Sequence, residues 1–99
     1  MENHYLNEFL SFLSVEKGLA DNSIESYRHD LVKYFHYLKN KKIKDFNSVK
    51  RKDIVSFLLS LKNANLSPPS IARNLVAIKL FHRFLLRERF IKDDIILFY

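Results

Sequence analysis

The chain of 99 residues has no cysteine, no tryptophan, one glycine and two prolines. The lack of cysteine excludes disulfides, thiolate metal sites and thiol nucleophiles. A single glycine excludes a glycine-rich phosphate loop. No apolar run approaches the ~20 residues that a membrane span needs, and the N-terminus lacks the basic-then-apolar layout of a signal peptide. These absences predict a soluble cytoplasmic protein with no membrane partner.

What the chain does contain is apolar and aromatic material. Hydrophobic residues make up 47% of the sequence and aromatic residues 14%, with nine Phe and five Tyr. A chain of this size and composition can bury one hydrophobic core without staples. We therefore expect residues 1–99 to form a single domain.

Charge is segregated along the sequence. Residues 1–49 carry seven Lys or Arg and seven Asp or Glu, which sum to zero, whereas residues 50–92 carry ten Lys or Arg against Asp53 and Glu88, a balance of +8. Asp93 and Asp94 bring the chain to its net charge of +6. Segregated positive charge favours a nucleic-acid partner, although a basic surface that only confers solubility produces the same count.

Helical periodicity dominates the first forty residues. Apolar residues recur at three- and four-residue steps over 5–13, which indicates an amphipathic helix that Gly18 ends. Asp21 or Asn22 is expected to cap a second helix, and Asn22 with Glu25 resembles a capping box. That helix buries an apolar stripe: Ile24, Tyr27, Leu31, Tyr34, Phe35 and Leu38.

The rest of the chain predicts a loop and two more helices. Residues 40–49 break the period, with Ile43, Phe46 and Val49 as apolar anchors. A third helix runs from about 50 to 62. Ser67 before two prolines predicts the start of the last helix, which extends to about residue 89 and buries Ile71, Leu75, Ile78, Phe81 and Leu85. No strand pattern appears, so the fold class is all-α: a compact bundle of four main helices with a short final turn around residues 93–98.

Basic residues share one side of the last helix. At about 100° per residue, Arg73, Lys79, Arg83 and Arg87 fall within a sector of about 120°. A ridge of this kind suits a phosphate backbone or a major groove, and the alternative is an ordinary solvated face. A further run of basic residues near the loop is a solvated surface or a supplementary backbone contact: Lys39, Lys41, Lys42, Lys44, Lys50, Arg51 and Lys52.

Two phrases, about forty residues apart, resemble one family. Residues 16–31 read EKGLADNSIESYRHDL and residues 70–85 read SIARNLVAIKLFHRFL. Both resemble the N-terminal core-binding, SAM-like domain of tyrosine recombinases and phage integrases, similar to the Xer recombinases that resolve chromosome dimers. The resemblance covers essentially the whole chain and only that domain. It implies a SAM-like helical bundle that binds double-stranded DNA.

The resemblance also implies a set of contact residues. In recombinases of this type the second and fourth long helices enter the major groove and the neighbouring backbone. Carried over by motif position, and joined to the basic ridge, the expected DNA-binding residues are Ser23, Ser26, Tyr27, Arg28, Ser70, Arg73, Asn74, Lys79, Arg83 and Arg87. Tyr27 lies on the apolar stripe, so a core ring is the competing interpretation, and Ser70 is equally a first-turn capping residue.

No catalytic residue is expected in this chain. The resemblance implies that an Arg, a Lys, a His-x-x-Arg pair and a Tyr nucleophile belong to a separate C-terminal domain, which would follow an interdomain linker at the end of these residues. Tyr99 has no activating cluster before it, and Ile95 stands where the family commonly has Pro. The histidines lack metal-ligand spacing. We expect no metal, no other cofactor and no small-molecule ligand.

Two other functions fit parts of the pattern. A SAM-like helical protein-protein interaction module without DNA binding would self-associate tightly and show no salt-dependent DNA affinity. A helix-turn-helix regulator fits less well, because its helices are shorter and its turn is tighter. The family resemblance favours DNA binding, with other recombinase subunits on adjacent DNA sites as further partners.

Overall fold

A computed structural model describes residues 2–92, with side chains described from residue 4 onward. The described residues form four α-helices and one short 3-10 helix, and they contain no strand: α1 (Glu2–Val15), α2 (Asp21–Asn40), the 3-10 helix (Phe46–Ser48), α3 (Arg51–Asn63) and α4 (Pro68–Arg87). The predicted all-α bundle is confirmed. The final turn predicted around residues 93–98 lies outside the described residues. None of the helices in the described part of the chain combines the length and hydropathy that crossing a membrane requires.

The connection between α1 and α2 contains the only glycine. Gly18 has φ +63, the left-handed region in which a side chain is strained. The cap predicted for α2 is wrong. Asp21 is already helical, the N-cap residue is Ala20, and no side chain caps this helix end. The Asn22–Glu25 capping box is therefore wrong too, because both residues lie inside the first turns.

The starts of α3 and α4 are capped by side chains. The Lys50 N–H donates to Asp53 Oδ2 at 2.7 Å, which satisfies a backbone donor at the start of α3. Ser67 is the N-cap of α4, as predicted, and its Oγ accepts from the Ser70 N–H. The following prolines occupy the first turn, where a missing N–H has no cost.

Aromatic side chains fill the centre of the bundle around Phe81. Its ring centroid lies 5.5 Å from that of Phe9 on α1, 5.2 Å from Phe35 on α2 and 5.2 Å from Phe46 in the 3-10 helix. One side chain of α4 thus contacts three other elements. Of the three anchors predicted for the loop, Phe46 and Val49 are confirmed as buried, and Ile43 is half-buried against the core.

The buried faces of α2 and α4 differ from the prediction in a few positions. Tyr27, Ile71 and Leu75, expected in the core, are half-buried. Three polar residues are buried instead: Asp30, Asn74 and His82. For Asn74 and His82 the reason is that α4 lies against α1, α2 and α3, so the buried sector of α4 is wider than its apolar stripe and includes polar positions.

Candidate nucleic-acid interface

An ion pair joins the two helices that carry all of the predicted contact residues. Arg73 on α4 donates from Nε to Asp30 Oδ2 at 2.7 Å and from Nη2 to Asp30 Oδ1 at 2.9 Å. The Asp30 side chain is 1% exposed, whereas that of Arg73 is 45% exposed. The pair therefore has one partner inside the bundle and one at its surface.

The environment of Arg73 favours its charged form. Its hydrogen bonds to Asp30 raise the pKa of Arg73 above the ordinary value, and the negative charge of Asp30 raises it further. Partial desolvation lowers it, and Tyr27 contributes a smaller increase. Tyr27 and Arg73, both predicted contact residues, thus interact electrostatically across the α2–α4 junction.

The basic ridge, defined here as Arg73, Lys79, Arg83 and Arg87, follows the outer side of α4. This helix contains no acidic residue. Arg83 is exposed and Lys79 is half-buried, and neither is within ion-pair distance of any described carboxylate. Their charges are therefore available to an external anion.

The C-terminal end of the ridge contacts α1. The Arg87 guanidinium lies over the Phe12 ring, 4.3 Å from its centroid, and Nη2 is 3.6 Å from Glu16 Oε2. Its Nε also donates to Glu88 Oε2 at 3.3 Å. Two carboxylates and an aromatic ring thus share the Arg87 side chain. Arg87 is less available to an external anion than Lys79 or Arg83.

The start of α4 is internally bonded. The Ser70 N–H donates to Ser67 Oγ, the two serine hydroxyl oxygens are 3.0 Å apart, and Ser70 O accepts from Asn74 Nδ2 at 2.8 Å. Asn74 is 1% exposed, so the structure places it in the interior. Both residues stabilise the first turns of the helix.

The predicted contact residues of α2 lie at and near its surface. Ser23 is exposed, while Ser26, Tyr27 and Arg28 are half-buried. Ser26 Oγ donates to the Asn22 carbonyl at 3.1 Å, and Arg28 Nε donates to Glu25 Oε1 at 3.2 Å. Ser23 is the freest polar group of this set, and Arg28 shares its charge with a neighbouring carboxylate.

Sequence reasoning did not select Asp30, although a signal for it exists. On a helical projection Asp30 lies about 40° from Tyr34, at the edge of the apolar stripe, and an acid there needs a partner.

Within the described part of the chain, no three His, Asp or Glu side chains gather closely enough to hold a metal ion.

Comparison with known proteins identifies the family. The model of the phage integrase N-terminal SAM-like domain matches residues 6–89. The chain belongs to this family. The resemblance that the two motifs indicated is thereby confirmed.

Curated relatives of this integrase-type domain are recombinases. Tyrosine recombinase XerD of Oceanobacillus iheyensis is 37% identical over 95 residues, which are 95% of this chain and 32% of that protein. XerD of Staphylococcus haemolyticus is 40% identical over 89 residues, 90% of this chain and 30% of that protein. XerC of Anoxybacillus flavithermus is 33% identical over 92 residues, 93% of this chain and 31% of that protein.

The chain spans about a third of the length of these relatives. No solved structure gives a significant match to the chain.

Proposed function

We propose that this chain is a DNA-binding domain of a tyrosine recombinase, and that it contacts duplex DNA through α4 and the N-terminal half of α2. The observation that carries the proposal is the basic ridge, on a helix with no acidic residue. Exposed Lys and Arg side chains along one helix neutralise DNA phosphates, and their number sets the salt dependence of binding. Arg83 and Lys79 supply most of the positive charge of the ridge that is not in an ion pair, and Ser23 adds a polar contact. Arg73 adds a contact from a guanidinium that Asp30 holds in place.

In this proposal the chain contributes DNA binding and no catalytic residue. A catalytic domain elsewhere in a parent recombinase would cut and rejoin DNA strands, and the two domains would close around one recombination half-site in the cytoplasm. Other recombinase subunits would assemble on adjacent sites, as in the resolution of chromosome dimers or in integration. The recombinase names of the relatives support this proposal.

The salt dependence of duplex binding tests the proposed surface. Replacement of Lys79 and Arg83 by Gln removes two charges from the ridge. The matched control, replacement of Lys42 and Lys44 by Gln, removes two charges from an exposed loop. Each phosphate contact contributes about 0.9 to the slope of log K against log salt. The ridge variant should therefore lose up to about 2 units of slope, and the loop variant much less.

Fluorescence anisotropy over a salt series measures both slopes on the same duplex. The slope is more informative than the affinity, because binding without the proposed catalytic domain would be weak. An equal loss in the two variants would mean that attraction is general and that α4 is not the docking surface. The absence of any salt-dependent binding by the wild type would contradict DNA binding itself.

The second candidate function is a helical protein-interaction module without DNA binding. Two exposed apolar side chains on one face of α3 favour it, Val55 at 40% and Leu59 at 55%, because residues four apart on a helix are neighbours and exposed apolar groups mark interaction sites when they form a patch. This function predicts stable self-association in sedimentation experiments together with no salt-dependent DNA affinity. The two candidates therefore give opposite results in the anisotropy series.

A further inference from the structure

The Asp30–Arg73 pair leaves half of a guanidinium unused. Asp30 occupies the edge formed by Nε and Nη2, and Nη1 takes part in neither bond. The Arg73 side chain is 45% exposed, and its outer edge, the one away from Asp30, makes no hydrogen bond within the described residues. The edge formed by Nη1 and the second Nη2 hydrogen has the fork geometry that matches a phosphate bidentately.

Stability alone is a weak reason for this arrangement. A carboxylate that is 1% exposed loses its hydration on folding, and a paired buried charge is often no more stabilising than apolar residues of the same volume. A fixed guanidinium is useful in a different way. A flexible arginine loses side-chain freedom when it binds an anion, whereas one already held by a carboxylate has lost that freedom on folding.

We propose that Asp30 is a positioning residue, which holds Arg73 so that the outer edge of its guanidinium binds a DNA phosphate at the α2–α4 junction. This inference rests on the proposed function. Asp30, a buried acidic residue, would thus strengthen the binding of DNA, although its own charge is negative.

The proposal predicts an effect opposite to that of simple electrostatics. Asp30→Asn removes a negative charge, so general attraction to DNA should strengthen. If Asp30 positions Arg73, affinity should instead fall by about fivefold to tenfold, because a bidentate charge-assisted contact is loosened. Asp21→Asn is the matched control: it makes the same change on an exposed residue of the same helix, and affinity should stay equal or increase slightly.

Arg73→Lys supplies a second, independent variant at a surface position. It keeps the charge but loses the planar fork, so it should weaken duplex binding as Asp30→Asn does. The Arg73 Nε–H resonance in a 1H–15N spectrum supplies the spectroscopic readout. It should be protected from exchange in the wild type, lose protection in folded Asp30→Asn, and shift when duplex DNA is added to the wild type.

The outcomes separate the inference from the proposed function. Wild-type protein without salt-dependent DNA binding would overturn both. A second outcome would overturn the positioning role alone: the wild type binds DNA, folded Asp30→Asn binds as tightly as Asp21→Asn, and Arg73→Lys binds as the wild type does. The Asp30–Arg73 pair would then only link the two helices. If Asp30→Asn does not fold, Arg73→Lys and the Arg73 resonance decide: wild-type affinity in Arg73→Lys or an unshifted resonance overturns the proposal.

Discussion

Phe81 is the side chain on which the core converges, and it is fully buried among rings from α1, α2 and the 3-10 helix. Leu75, on the same helix, is only half-buried. Phe81→Ala should lower the free energy of unfolding by about 3–5 kcal/mol, because a large cavity remains. Leu75→Ala should cost less than about 2 kcal/mol, because part of the side chain already contacts water.

Urea unfolding followed by circular dichroism measures both losses. The sequence assigns Phe81 and Leu75 equally to the apolar face, so the ratio of the two losses tests the structure and not only the pattern. Equal losses would mean that α4 is rotated about its axis relative to the structure described here.

Polar residues in the interior show where sequence reasoning reaches its limit. Asn74 and His82 are buried, and the Tyr34 hydroxyl lies 2.8 Å from His82 Nε2. A periodicity argument assigns polar residues to the surface, and it errs where one helix is covered on several sides. Asp30 was detectable as an acid at the edge of an apolar stripe, but its partner was not, because 43 residues separate it from Arg73.

At the scale of helices, the sequence predicts that each helix exists more accurately than it predicts where the helix begins. The four helices, Gly18 in the first connection and the Ser67 cap are all confirmed. The start of α2 is the exception, since Asp21 and Asn22 are good capping residues and yet Ala20 occupies the cap position. Capping preference is worth only about 1 kcal/mol, so packing of the Ile24 turn against the core can override it.

This uncapped start can be improved by one substitution. Ala20 is exposed and has the extended backbone of an N-cap, with φ −68 and ψ 153. Ala20→Ser should raise the free energy of unfolding by about 0.5–1 kcal/mol, because its hydroxyl would accept from an orphan N–H of the first turn.

Ser67→Ala is the reverse control at the start of α4. It removes a cap that is present and should lower the free energy of unfolding by about 1 kcal/mol. Denaturant titrations of the two variants should therefore move in opposite directions. A destabilising Ala20→Ser would show that α2 does not begin at Asp21.

For the molecule as a whole, the arrangement of charge matters more than its total. The net charge of +6 arises from residues 50–99, where a balance of +8 over residues 50–92 is reduced by Asp93 and Asp94, while residues 1–49 are neutral. Folding places α4 against α2, so the basic ridge and Ser23 belong to neighbouring helices. The sequence indicates these residues through periodicity and family motifs. It offers a first-turn role for Ser70 as one of two interpretations. It does not indicate that Asn74 is engaged within α4, or that Arg87 is shared with α1, because those facts depend on rotamers and tertiary contacts.

The most direct test of the account is an NMR titration of the 15N-labelled chain with a generic duplex at low salt. Backbone and side-chain shifts report which surface meets DNA, without any mutation. The account predicts the largest changes along the ridge at Arg73, Lys79 and Arg83 and in the first turns of α2, with small changes at Lys42, Lys44 and the outer face of α3. Shifts concentrated in residues 41–52, or no shifts at all, would contradict it.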